Sequence, residues 1–168
     1  LIENTAASIE GRGPHGLYHK MQEARRNNPK LIYYYQSDYK GYYDHILHDR
    51  LIEIIKRYIA DPVLLPILID FVKALHPNDN VGISKGLRSS QFFGNLYHND
   101  IDHAMIEECG KDNYNRFCDD IYILGDNKKE LWKHRDTLHR LCKPYNLIIK
   151  PSEKVAPISA GMDALGFV

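Results

Sequence analysis

The chain has 168 residues, 43% hydrophobic and 26% charged, with 22 Lys and Arg against 22 Asp and Glu. That composition suits one ordinary core; no apolar run approaches the roughly 18 residues of a membrane span and no basic-then-apolar leader opens the chain, so a cytoplasmic location without a membrane partner is expected. Cys109, Cys118 and Cys142 are odd in number and lack paired ligand spacing, which argues against a disulfide framework or a zinc knuckle.

In chain order, Gly13 and Pro14 open a predicted helix to about Arg26, ended by Asn27, Asn28 and Pro29. A strand from Leu31 to Asp38 follows. Leu47, Leu51, Ile54, Ile55 and Ile59 form a helical stripe, and Asp61-Pro62 restarts a second helix to about Leu75. After a turn at His76 to Asn80, apolar positions from Phe93 to Met105 keep helical period between Ser90 and about Glu108, closed by Cys109-Gly110. A hairpin is expected around Asp119 and Asp120, then a helix to about Cys142 ended by Pro144, and strands near Leu147 to Ile149 and Ala164 to Val168. A hairpin in the middle of the order, with no Gly-x-Gly-x-x-Gly fingerprint after a strand, predicts an α+β fold: an antiparallel sheet with helices on one face.

Charge sits in unexpected places. Asp119 and Asp120 interrupt the β-prone run from Tyr114 to Gly125, and Asp38 ends the run that begins at Leu31. A turn-only role is the simpler reading of an Asp pair. If the strand bearing Asp38 lies beside the hairpin, however, two carboxylates about 4 Å apart repel by about 4 kcal/mol at an effective dielectric near 20, and bound cations relieve this. Hard oxygen donors without a Cys or His cluster point to Mg²⁺, with Mn²⁺ as a substitute.

Phe117-Cys-Asp-Asp resembles the aromatic-x-Asp-Asp box of the reverse transcriptases, and Asp38 followed by Tyr42 and Tyr43 resembles their first catalytic motif. Between them, the segment from Gly82 to Tyr97 resembles the family's Gly-rich loop leading into a long helix. Asn146 to Val155 resembles the next strand and its Lys-bearing turn, Leu165-Gly-Phe-Val resembles the start of the primer-grip hairpin, and Ser8 to His15 resembles the segment before the first catalytic strand in bacterial members.

The resemblance implies an RNA-directed DNA polymerase with a palm sheet of ferredoxin-like type. Residues about 1–30 and 60–90 would be fingers-side elements; the N-terminal fingers hairpin and helical thumb are expected to be missing from a piece that starts at Leu1 and stops at Val168. It implies Asp38, Asp119 and Asp120 as catalytic and metal-holding residues, Asp120 more as support than as a full ligand. Tyr39, Lys40, Gly41, Tyr43, Lys85, Gly86 and Lys154 would meet the deoxynucleotide, Lys40 and Gly41 through backbone N–H groups and Tyr43 beneath the sugar, with Tyr42 buried. Arg12, Arg88, Gln91, Phe117, Leu165 and Gly166 would meet an RNA template and a DNA or RNA primer.

Ser84-Lys85-Gly86 stands where the commonest family pattern has Pro-Gln-Gly, and the Ser90-Gln91 pairing resembles the enzymes of diversity-generating retroelements more than those of retrons or group II introns. A bacterial or phage retroelement is therefore expected. A group II intron or defence-associated relative, or an inactive nucleic-acid-binding fragment, are the other readings. Zero net charge argues against a uniformly basic binder, yet Arg12, Lys20, Arg25, Arg26 and Lys30 cluster before the first strand, either as a solvated helix face or as phosphate contacts. His15 and His19 have i, i+4 metal spacing without a third ligand, Asp44 is expected in a turn or cap, and Trp132 in the core.

Overall fold

Tyr, Ile and Leu dominate the segments that pair, and their alternation builds a sheet with two apolar faces. The computed structural model describes residues 5, 12–74 and 80–163. Strands β1 (Tyr33–Ser37), β2 (Tyr114–Phe117), β3 (Asp120–Gly125) and β4 (Lys154–Pro157) form one sheet in the order β2-β3-β1-β4, each neighbour antiparallel. Helices α2 (His48–Tyr58), α3 (Leu64–Ala74) and α4 (Arg88–Cys109) separate β1 from β2, and α5 (Lys128–Cys142) separates β3 from β4. This is the split β-α-β-β-α-β arrangement, in agreement with the predicted α+β class.

Because successive strand residues point to opposite faces, Tyr35, Ile121 and Ile123 bury one side of the sheet against α4 and α5, with α2 on α4 and α3 on α2. Tyr34, Tyr122 and Leu124 face the other way. There they meet Leu17, Met21 and Ala24 of α1 (Pro14–Asn27), so α1 covers the second face while the remaining helices share the first. Each fully buried aliphatic or aromatic side chain in these layers contributes about 1.5–3 kcal/mol.

Local chemistry sets the helix ends. Pro14 at the first turn of α1 carries no N–H to leave unpaired, and Arg25 and Arg26 lie in its last turn, where the helix dipole favours cations. Asp61 Oδ1 accepts from the N–H groups of Val63 and Leu64 at 2.8 Å, and Asn127 Oδ1 caps α5 by accepting from Lys129 at 2.8 Å. Gly110, at φ +91°, ends α4.

Two expectations need correcting. Leu147 to Ile149 is not a strand: only Ile149 bridges, antiparallel to Tyr39, and β1 pairs instead with β4, where the resemblance implies a Lys-bearing turn. Trp132 is 43% exposed rather than core; Leu131 takes the buried position, and one residue further along a helix is about 100° away. The predicted strand at 164–168, with Leu165 and Gly166, and the turn at 76–79 lie outside the described residues.

Candidate active site

β1 and β3 carry the acids to one end of the sheet. Ser37 pairs with Ile121, so Asp38, which follows one, and Asp120, which precedes the other, flank the same rung; Phe117 pairs with Asp120, leaving Cys118 and Asp119 as the hairpin turn. Cys118 sits at φ +52°, a left-handed conformation that a non-glycine residue adopts only when its surroundings compensate. Acids distant in the chain thereby share one site.

The carboxylates act on each other. Burial raises Asp119 first, and the neighbouring Asp38 carboxylate raises it further, against its own backbone N–H and Lys150. Asp120 is pushed up to about 6 by burial, then by Asp119 and Asp38. Asp38 Oδ1 is buried with no hydrogen-bond partner, while Oδ2 holds the Lys150 ammonium. An orphaned carboxylate oxygen among mutually repelling acids is a donor set suited to a hard divalent cation. Among the described residues no group of three or more His, Cys, Asp or Glu side chains is placed to hold a metal ion by itself. Mg²⁺ is commonly held by one or two carboxylates together with substrate phosphates.

Tyr42 is buried and donates to the Gly94 carbonyl at 2.7 Å, whereas Tyr43 is half-buried beside the turn. Burial pushes the Tyr43 hydroxyl up to about 12, aided by the nearby Cys118 and Asp119. Gly94 of α4 lets both rings approach: a Cβ there would lie 3.1 Å from each. Gly41, at φ +58°, turns the chain between Asp38 and Tyr43, and a Cβ there would meet Asp44 Oδ2 at 2.8 Å. That same oxygen accepts from Lys85 at 2.7 Å, tying the Gly-rich loop to the turn after β1.

Other expected residues fall elsewhere. The Tyr39 side chain is buried, its hydroxyl 2.7 Å from His98 Nε2, so it does not face a substrate; alternation turns it away from the side of Asp38. The Lys40 N–H already donates to the Ile148 carbonyl at 2.7 Å and is not offered to a ligand. Lys154 belongs to β4, with its ammonium 5.7 Å from the Tyr34 ring centroid. Gly86, Arg88 and Gln91 are exposed around the start of α4, Phe117 packs toward α1, and Arg12 Nη1 donates to the Thr5 carbonyl at 3.3 Å.

Two features escaped the sequence reading. Lys150 reaches the acids because its N–H donates to the Asp38 carbonyl at 2.8 Å, beside the Tyr39–Ile149 bridge; its position just after an apolar triplet was the available signal. Arg116 is wholly buried, with Nε and Nη2 donating to the two oxygens of Asp102 at 2.9 and 2.7 Å. Burial alone would raise Asp102, yet Arg116 and His98 hold it well below the usual carboxylate range. Burial lowers His98, so the neutral ring donates from Nδ1 to Asp102 at 2.9 Å and accepts from Tyr39 at Nε2. The His98-x-x-x-Asp102 spacing and an Arg inside a β-prone run were the signals.

The α+β fold with its four-stranded antiparallel sheet matches the palm and fingers of telomerase in solved structures. Apo telomerase from Candida tropicalis superposes with a TM-score of 0.66 at 14% identity, over 94% of this chain and 34% of that one. The C. tropicalis telomerase in complex with a TWJ fragment of telomeric RNA gives 0.66 at 15% identity over 94% and 31%, and the corresponding Candida albicans complex gives 0.63 at 8% over 98% and 33%. No curated protein matches in a sequence search. The chain belongs to the family described as "Reverse transcriptase (RNA-dependent DNA polymerase)", whose sequence model matches residues 4–168. It spans about a third of the length of these telomerase structures.

Proposed function

We propose that the chain is the palm, with part of the fingers, of an RNA-directed DNA polymerase that adds deoxynucleotides to a primer 3′-hydroxyl on an RNA template. The observation that carries this reading is the meeting of Asp38 with Asp119 and Asp120 beside Tyr43 in a member of the reverse transcriptase family.

Asp38 and Asp119 would hold divalent metal, with Asp120 beside them; when bound, Mg²⁺ neutralises charge on the attacking and leaving oxygens of the transfer. The protein's share is placement. The hairpin turn and the end of β1 hold the carboxylates before substrate arrives, so little reorganisation accompanies the reaction. Tyr43, half-buried beside Asp119, would sit beneath the nucleotide sugar and collide with a 2′-hydroxyl, favouring deoxynucleotides. Lys150 offers a cation beside the acids, which suits it better than Lys154 to balance charge there. The Ser90-Gln91 pairing favours a bacterial or phage retroelement of the diversity-generating type.

The test is primer extension on an RNA template by the full-length gene product with Mg²⁺ and deoxynucleotides. Asp119→Asn should lower single-nucleotide incorporation by at least about 10²-fold. Equal activity in that variant overturns the assignment.

A further inference from the structure

Tyr39 directly follows one of the acids and Cys118 directly precedes another, and a continuous chain of hydrogen bonds, buried as far as Arg116, joins these two neighbours. From Tyr39 the hydroxyl contacts His98 Nε2 at 2.7 Å, His98 Nδ1 contacts Asp102 Oδ1 at 2.9 Å, and Asp102 accepts both Arg116 contacts. Arg116 Nη1 then donates to the Cys118 carbonyl at 2.7 Å and to Asn95 Oδ1 at 3.2 Å. Tyr114 adds a further contact, its hydroxyl donating to Asp102 Oδ1 at 2.8 Å.

Tyr39, His98, Asp102 and Arg116 are each no more than 1% exposed, so water cannot replace the links among these four without opening the core, while the final link to the Cys118 carbonyl is part-buried. Burying a charged pair is a poor way to gain stability, because desolvation offsets the attraction. Its geometry has another consequence. The planar guanidinium serves Asp102 with Nε and Nη2 while Nη1 holds the backbone carbonyl of a residue in the left-handed region. That carbonyl belongs to the peptide unit leading into Asp119.

We infer that Arg116 is a positioning residue that, through Asp102 and His98, fixes the Cys118 turn relative to Tyr39 and so sets the separation of Asp38 and Asp119 for metal. This rests on the polymerase reading for its purpose, but its physical content is the rigidity of the turn. Arg116 is fully buried, and it acts through the backbone of its neighbour.

Two variants of the full-length gene product test it. Arg116→Lys keeps a buried cation but cannot serve Asp102, Asn95 and Cys118 in one plane. Tyr39→Phe removes one hydroxyl at the far end and keeps the ring in the core. Arg116→Lys should speed amide hydrogen exchange at residues 118–121 by about tenfold and weaken Mn²⁺ binding, followed by electron paramagnetic resonance without nucleic acid, by about 10–100-fold. Tyr39→Phe should weaken Mn²⁺ binding in the same direction, by about tenfold. Half-saturating Mg²⁺ in primer extension should rise in both, with primer–template affinity unchanged.

A merely structural role would lower the melting temperature and leave metal affinity unmoved; that result, or wild-type exchange at the turn in folded Arg116→Lys, overturns the inference. Should Arg116→Lys not fold, Tyr39→Phe decides alone: wild-type Mn²⁺ affinity in it overturns the inference. A wild-type protein that extends no primer defeats the polymerase reading instead, and hydrogen exchange at the turn then decides the positioning role.

Discussion

Lys150 and Asp38 are joined twice: the Lys150 N–H donates to the Asp38 carbonyl at 2.8 Å, and its ammonium pairs with Asp38 Oδ2. The backbone contact holds the lysine at the acids, where its charge lowers both Asp119 and Asp120. In the metal-free protein, Lys150→Met should therefore raise the Asp120 midpoint above its present value of about 6. Carboxyl ¹³C NMR titration reads this directly. An unchanged or lower midpoint would mean that the ammonium spends its time in solvent.

Stability should depend on pH in a definite sense. Asp120 stands at about 6 against an ordinary 3.8, chiefly through burial and then through Asp119. An acid raised on folding binds its proton more tightly in the folded chain, so its stabilising contribution is full below the ordinary value and is lost as pH rises through about 6. In EDTA, Asp120→Asn should melt higher than wild type near neutral pH, with the difference vanishing near pH 4. A variant that melts lower than wild type at neutral pH would contradict this account of the acids.

Tyr43 gives a selectivity test. Its half-buried ring leans on Gly94 and neighbours Asp119, so shortening it opens space beside the acids without emptying the main core. Tyr43→Val should raise incorporation of ribonucleotides relative to deoxynucleotides by about tenfold or more, with deoxynucleotide use less affected. Competition assays with matched nucleotide pairs measure the ratio, and an unchanged ratio would remove Tyr43 from the sugar pocket.

Asp102 gives a stability test. Asp102→Ala leaves Arg116 charged and buried without its partner, which costs about 3–5 kcal/mol, against surface changes within about 0.5 kcal/mol. Urea denaturation compared with Asp136→Ala, an exposed acid beside Arg135, separates the two cases. Equal losses would mean that Asp102 is not the counter-charge that its two guanidinium contacts indicate.

The helices and most strands were legible from sequence because their signals are local. Apolar period, Pro14 at a helix start and Gly110 at a helix end each act within a few residues, and the observed elements follow them closely. The Asp119-Asp120 hairpin and the approach of Asp38 were legible for a related reason. Charge placed inside β-prone runs is costly enough to demand an explanation even before any contact is known.

Sequence alone determined the α+β class and most of the element order, and it singled out Asp38, Asp119 and Asp120 as acids set in β-prone runs, since these depend on periodicity, turn chemistry and residue type. Only the tertiary structure decided that Lys150 rather than Lys154 meets Asp38, that Tyr39 turns inward to His98, that α1 lies on the second face of the sheet, and that Arg116 grips the Cys118 carbonyl. Each of these turns on strand register or on a side chain's direction across the core. A shift of one residue sends a side chain to the opposite face, and it leaves no local trace in the order of amino acids.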